Sequence, residues 1–305
     1  MDSIDRFLAL LDLQTDIDVF CNLKAPFYME SEPELKGTAW FHLLLEGNCT
    51  MSNAGKSYDL KGGDFCLWAH SSKHSVFSGK EESRFSENKQ NGIAQLCNDS
   101  NGASLRMLCG SFRVRNRAAI GLLEILPEPL IVSLSDIPQL PALCSLIHNE
   151  ALIRSEGSIT VVRSLCEVLL LLALRHVSAL PEKHRLTALF SEQGLARALS
   201  HILSAPFAPY TTEGLAEIAC MSRATFARKF QLAAGCGVQT FIRTLKMSAA
   251  AKMLRDGNLA VSRIAEETGY QSEAAFNNAF KAQFGVTPAR YRRQDLDTTP
   301  LPNPA

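Results

Sequence analysis

The 305-residue sequence predicts an α+β, multidomain protein: a β-barrel or sandwich first, a helical stretch next, and an all-α unit last. Three observations carry this. Between 37 and 78, short apolar runs rich in β-formers alternate with Gly-bearing turns. From about 139 the chain turns helical in character. Finally, "SRATFARKFQLAAG" from Ser222 returns fifty residues later as "SEAAFNNAFKAQFG" from Ser272, with Ser, two Phe and a Gly in register.

Composition narrows the function classes. Hydrophobic residues make up 46% and charged residues 20%, the balance of a soluble globular protein. The longest apolar run, "VLLLLAL" at 168–174, is far below the ~20 residues that span a bilayer. The first residues, "MDSIDRFLALLDL", lack the basic region and cleavage site of a signal peptide, so a cytoplasmic location with no membrane partner is expected. Net charge is zero, yet 191–305 holds 13 Lys and Arg against 9 Asp and Glu, while the first 190 residues hold 18 against 22. That asymmetry directs the C-terminal third toward a polyanion. The nine cysteines are odd in number and lack C-x2-C spacing, which fits buried thiols in a reducing compartment rather than a disulfide framework.

The elements follow in order. "TAWFHLLLEGNCTMS" and "CLWAH" read as strands around the turn-rich "NAGKSYDLKGGDF"; 79–104 is polar and expected to be a long mobile loop; "LRMLCGSFRV" resumes as a strand. These give a first domain over 1–138. Residues 139–189 form a helical linker and dimerisation region, closing on "ALPEKHR". Its second helix has apolar residues on nearly every face (Val161, Val162, Leu165, Val168, Leu169, Leu172), predicting burial all round, inside the protein or in a subunit interface. An all-α domain over 190–293 and a disordered tail over 294–305 complete the chain.

The duplicated helix carries the function. Ser222 and Ser272 are strong N-caps. Phe226 and Phe230, like Phe276 and Phe280, share one face that must be buried. The opposite face holds Ala224, Arg228 and Gln231 in the first copy and Ala274, Asn278 and Lys281 in the second, flanked by Arg223, Ala227, Glu273 and Asn277. Small residues allow close approach, and Arg, Asn, Gln and Lys carry the donors that read base edges. A short helix precedes each copy: "TTEGLAEIACM", with Thr212 as cap, and "VSRIAEETGYQ", with Gly269 at a turn. This is the helix-turn-helix pattern, twice, joined by the basic "FIRTLKMSAAAKMLRDG". Two such units can enter successive major grooves about 34 Å apart, and the alternative is a purely structural helical repeat. Lys229, Arg243 and Lys246 are the expected phosphate contacts.

The stretches "LAEIACMSRATFARKF", "LKMSAAAKML" and "IAEETGYQSEAAFNNAFKAQFGVTPARYRR" resemble the AraC/XylS family of bacterial transcription regulators over about 195–293. One departure is Val238, where the first repeat of the family usually has a proline like Pro288. The resemblance implies a transcription regulator of the activator class, whose partners are double-stranded promoter DNA, RNA polymerase and a second copy in a homodimer. "FHLLLEG" and "LKGGDFCLWAHSSKH" resemble the cupin barrel that serves as sensor in one branch of the family. Cupin enzymes hold a metal with several His and a Glu; His42, Glu46 and His74 fall near such positions, with His70 close by. The first motif has one histidine where an enzyme usually has two, so a structural role outweighs a metal site, no cofactor is expected, and a cupin metalloenzyme is the remote alternative.

The N-terminal half also resembles the reactive-chlorine-responsive activators of this family. "IDVFCNLKAPF" places Cys21 before the barrel and "LRMLCGSFRV" places Cys109 in a late strand, matching cysteines that the resemblance assigns to oxidant sensing. The alternatives are a small-molecule effector held in the barrel, with each cysteine a buried structural thiol. Cys21, Cys49 and Cys66 are too widely spaced for the zinc-thiolate module of DNA alkylation-repair regulators.

Overall fold

The computed structural model describes residues 3–31, 37–70, 73–79, 84–90, 93–115, 120–123, 126, 128–133, 136–153, 155–179, 188–190, 192–256 and 259–294. The chain divides into two compact units, one of residues 13–113 and 126–180, the other of 1–12, 114–125 and 181–305.

The first unit is built from eleven described strands: β1 (Leu13–Lys24), β2 (Phe27–Glu30), β3 (Thr38–Glu46), β4 (Asn48–Asn53), β5 (Lys56–Lys61), β6 (Asp64–Trp68), β7 (Ser75–Ser78), β8 (Phe85–Gln90), β9 (Ile93–Asn98), β10 (Ser104–Val114) and β11 (Leu130–Ser133). They form a seven-stranded sheet of order β11-β6-β3-β10-β1-β9-β8 and a four-stranded sheet of order β2-β7-β4-β5. Leu23, Phe27, Leu44, Met51, Trp68 and Met107 are fully buried in one apolar cluster drawn from both sheets. The β4–β5 hairpin turns on Ala54 and Gly55, both at positive φ (48° and 79°), the conformation that a two-residue turn matched to strand twist requires.

Two expectations are overturned here. Residues 79–104 are not one long loop: β8 and β9 form an antiparallel hairpin, and β9 runs parallel to β1. The composition misled because β8 is an edge strand whose described side chains are exposed, so it carries the polar residues of a solvent face. Cys21 does not precede the barrel either. It lies inside β1, between β10 and β9, on a strand whose Ile17, Cys21 and Leu23 alternate inward against Asp16, Asp18 and Asn22.

Two helices complete this unit. α3 (Leu140–Ile153) and α4 (Ser158–Ala179) lie against each other, and α4 covers β1 and β11. Within the single chain α4 is not buried all round. Val162, Leu169, Leu170, Ala173 and Leu174 are buried, but Val161 is 42% exposed and Val168 46%, with Leu165 and Leu172 half-buried. The sheet and α3 cover α4 from their own sides, and Val161 and Val168 lie on the side that neither reaches.

The second unit gathers α1 (Ser3–Leu11), α2 (Ile120–Leu123), α5 (Gln193–Ser204), α6 (Thr212–Ile218), α7 (Arg223–Ala234), α8 (Val238–Asp256), α9 (Val261–Glu267), α10 (Glu273–Phe284) and α11 (Pro288–Gln294). The N-terminal helix α1 packs on α5 and α8. Phe7 and Leu11 are buried there, and Phe7 meets Phe190 edge to face at 5.7 Å. Just after α1, the Asp12 carboxylate accepts from Arg255 of α8, whose Nη1 also donates to Tyr291 Oη at 3.0 Å. Residues 180–185 of the expected linker and 295–305 of the expected tail lie outside the described residues. Among the described residues, no helix is long and apolar enough to cross a membrane.

Candidate nucleic-acid interface and buried thiol site

The two copies of the repeat fold alike. Ser222 Oγ accepts from the Thr225 N–H at 3.3 Å, and Ser272 Oγ from the Ala275 N–H at 3.1 Å. Phe226 and Phe230 stand 5.6 Å apart, as do Phe276 and Phe280, all fully buried. Phe230 meets Phe241 edge-on at 5.2 Å, and Phe280 meets Tyr291 edge-on at 5.4 Å. Both helices end on a left-handed glycine, Gly235 (φ 75°) and Gly285 (φ 74°). Val238 opens α8 just as Pro288 opens α11, so the departure from proline leaves that helix start in place. One cap differs from expectation. Thr211, not Thr212, caps α6, because its extended backbone places Oγ1 3.0 Å from the Gly214 N–H.

The outer faces are open. In the first copy Ser222, Arg223, Ala224, Arg228 and Gln231 are exposed; in the second Ser272, Glu273, Ala274, Asn278 and Lys281 are, with Asn277 half-buried. Arg223 forms an ion pair with Glu213 at 2.8 Å. Lys229 turns to Glu192 beside α5 and forms an ion pair there. Arg243 is exposed, whereas Lys246 is half-buried and its ammonium pKa is lowered by desolvation. Arg293 on α11 occupies the repeat position of Arg243 and is exposed too. Sequence reading missed it, although the same offset of fifty points to it.

In the first unit the structure brings together residues that sequence held far apart. Cys109 on β10 lies directly opposite His42 on β3, and His42 opposite Cys66 on β6. Gly110 permits the neighbouring strand to approach: a Cβ there would stand 2.3 Å from the Asp16 carbonyl oxygen of β1. Cys21 Sγ and Cys109 Sγ are 4.0 Å apart, both buried. His42 Nδ1 lies 3.2 Å from Cys109 Sγ, and its Nε2 lies 2.6 Å from His74 Nε2. His74 Nδ1 contacts Ser31 Oγ at 2.8 Å, and the Trp68 indole stacks on the His74 ring at 5.0 Å. The hydrogen bond with Cys21, followed by burial, pushes the Cys109 thiol well above its ordinary range. Burial, with His74 beside it, holds His42 well below the usual imidazole value. Ser31 and Trp68 had no signal in the sequence, since only the meeting of segments distant in the chain brings them to His74.

A metal ion does not fit this arrangement. The two Nε2 atoms are in hydrogen-bond contact with each other, leaving no room between them for an ion. Glu46 is instead exposed and paired with Arg106 at 3.4 Å, and His70 lies 3.8 Å from Glu128. Among the described residues, no three or more His, Cys, Asp or Glu could hold a metal.

Two helix-turn-helix units on one helical scaffold define a DNA-binding protein. Comparison with known proteins agrees. A helix-turn-helix domain family matches residues 215–294 and a cupin family matches 2–179. An uncharacterized HTH-type transcriptional regulator of Haemophilus influenzae is 33% identical, covering 96% of this chain and 99% of the relative. The HTH-type transcriptional regulator MtrA of Neisseria gonorrhoeae is 26% identical over 96% and 99% of the two chains. The RCS-specific HTH-type transcriptional activator RclR of Escherichia coli is 27% identical over 98% and 100%. This chain belongs to the AraC/XylS family of transcriptional regulators, with a cupin N-terminal domain.

Proposed function

We propose that this regulator is a transcription activator switched by oxidation of the Cys21–Cys109 pair. The observation that carries the reading is the 4.0 Å separation of the two sulfurs on neighbouring strands, close enough to bond after a small side-chain rotation. The relative named for specificity toward reactive chlorine species aligns over nearly the whole chain and supports the same reading. Burial sets the class of oxidant. Both thiols are buried and Cys109 is held protonated. Large or charged oxidants are thereby excluded, and a small neutral one such as hypochlorous acid is favoured. The disulfide would link two neighbouring strands of one sheet.

The chain crosses between the two units at 12/13, 113/114, 125/126 and 180/181, and the first two crossings fall at the start of β1 and the end of β10. Both strands that carry the cysteines therefore adjoin a crossing into the DNA-binding unit. A bond between them alters the relative stability of two states through those crossings, the only way a local event can carry a signal. The test is chemical. One equivalent of hypochlorous acid on the purified protein is expected to remove two thiols and yield a Cys21–Cys109 disulfide in a peptide map. Oxidation that leaves both thiols intact would transfer the signal to a small effector in the barrel. The buried Trp68 indole N–H, which has no acceptor among the described residues, is the donor such an effector would use.

On DNA, Arg228 and Gln231 read bases in one major groove and Asn277 and Asn278 in the next, while Arg243 and Arg293 hold phosphates. Arg228→Ala is expected to cost about 1–3 kcal/mol at the operator and relax preference at one or two positions. Arg293→Ala should instead weaken all sequences alike and lower the slope of log K against log salt by about 0.9. Anisotropy titrations across a salt series distinguish them; parental binding by both variants would refute the groove assignment.

A homodimer forms through α4. Val161, Leu165, Val168 and Leu172 follow 4-3-4 spacing, the seam of a helix pair, and this is the face that the chain itself leaves uncovered. Val168→Glu is expected to convert a dimer to a monomer in sedimentation without loss of thermal stability, since Val168 is exposed within the single chain. A monomeric parent protein, with and without DNA, would remove the dimer.

A further inference from the structure

Ser31, His74, His42 and Cys109 form one continuous line of contacts, and its direction can be worked out from one end. The Ser31 hydroxyl donates to the His74 carbonyl at 3.0 Å and accepts from the His74 backbone N–H at 3.1 Å. With its single hydrogen on that carbonyl, the 2.8 Å contact with His74 Nδ1 has Nδ1–H donating. His74 Nε2 is then bare and accepts from His42 Nε2–H at 2.6 Å. That leaves His42 Nδ1 without a hydrogen, 3.2 Å from Cys109 Sγ.

From this geometry we infer that His42 Nδ1 is the general base for Cys109, held in that tautomer by the Ser31–His74 pair, so that Cys109 acts as the resolving thiol when Cys21 is oxidised. The inference rests on the thiol-switch reading above. In the first step Cys21 sulfur takes the chlorine of hypochlorous acid: the S–Cl bond forms, the O–Cl bond breaks, and hydroxide leaves with the Cys21 thiol proton as water. In the second, Cys109 sulfur attacks Cys21 sulfur. The S–S bond forms, chloride leaves with the S–Cl electron pair, and the Cys109 proton passes to His42 Nδ1. Two thiols are oxidised to one disulfide, and one hypochlorous acid is reduced to chloride and water. The proton that arrives on His42 can move its Nε2–H to His74, whose ring lies flat against Trp68, where the indole face stabilises positive charge. The arrangement answers the difficulty that burial creates. A thiol too desolvated to ionise by itself reacts if a base takes its proton during the attack.

The test separates the two steps. One equivalent of hypochlorous acid is added to the full-length protein, and dimedone traps any sulfenyl form of Cys21 while the disulfide is quantified by mass spectrometry. Wild type is expected to reach the disulfide with little adduct. Cys109→Ser should accumulate the Cys21 adduct. His42→Asn keeps an acceptor facing Cys109 but no base, and is expected to slow disulfide formation roughly 10²-fold with the adduct at Cys21 accumulating. Disulfide formation at the wild-type rate in His42→Asn overturns the base assignment while leaving the thiol switch standing. Failure of Cys21 to oxidise in wild type and in Cys109→Ser overturns the switch itself. Should His42→Asn not fold, the tautomer is read in wild type by nitrogen-15 NMR of labelled histidine. A pyridine-type Nδ1 on His42 is expected, and a pyrrole-type Nδ1 refutes the assignment.

Discussion

Cells carrying Cys21→Ser are expected to lose transcriptional induction by hypochlorous acid altogether, while the purified variant binds promoter DNA like the parent under reducing conditions. The size of the effect follows from chemistry rather than stability. With one thiol of the pair gone no intramolecular bond can form, and the hydroxyl of serine is not oxidised in its place. DNA affinity is preserved because Cys21 lies within 13–113, whereas both helix-turn-helix motifs lie in the other unit. A buried hydroxyl carries its own cost of about 1–3 kcal/mol, so Cys21→Ala serves as the second variant and should show the same loss. Reporter transcription measured across an oxidant series decides it. Full induction in Cys21→Ser, Cys21→Ala and Cys109→Ser would abandon the redox reading in favour of a small-molecule effector.

The second large effect concerns the N-terminal helix. Phe7→Ala is expected to destabilise the DNA-binding unit by about 3–5 kcal/mol, the range for deleting a buried aromatic ring. Phe7 is 2% exposed and contacts Phe190 through its ring edge. Asp12→Ala should cost about 3 kcal/mol by a different route. The Arg255 side chain is only 5% exposed, and losing Asp12 removes the carboxylate from a buried charge that also meets the Tyr291 hydroxyl and the Arg115 carbonyl. Asp12 itself keeps 21% exposure, which places the effect at the low end for a buried pair. Either loss is a large share of the 5–15 kcal/mol that holds a typical domain together. Thermal melts of the full chain should show the helical unit unfolding earlier while the sheet unit keeps its transition. A C-terminal fragment beginning near 190 should behave like these variants, because it lacks α1. Melts indistinguishable from the parent would mean that α1 rests on the unit without stabilising it.

Neither residue drew notice in the sequence. "SIDRFLALL" reads as an amphipathic helix, but nothing local tells which of two cores its apolar face joins. The strand β1 was similarly hidden. Its "TDIDVFCN" alternates in the manner of a strand, yet four polar residues among eight give it the look of a segment before the barrel. The β8–β9 hairpin was read as a loop because edge strands wear the polar composition of loops. Local composition reports solvent exposure, and pairing partners decide the rest.

What the sequence determined by itself was the DNA-binding unit. A serine cap, phenylalanines one turn apart and a terminal glycine interact within about twelve residues, so their meaning survives without a tertiary fold, and their return fifty residues later leaves little room for another reading. The thiol site was decided only by tertiary structure. His42 and Cys109 are separated by 67 positions and Cys21 and Cys109 by 88, and only the register of β3, β10 and β1 sets them side by side. A one-residue slip in that register would turn every one of these side chains to the opposite face of the sheet. Resemblance could name the two cysteines. The imidazole aimed at one of them, and the hydroxyl that orients it, exist only once the strands are paired.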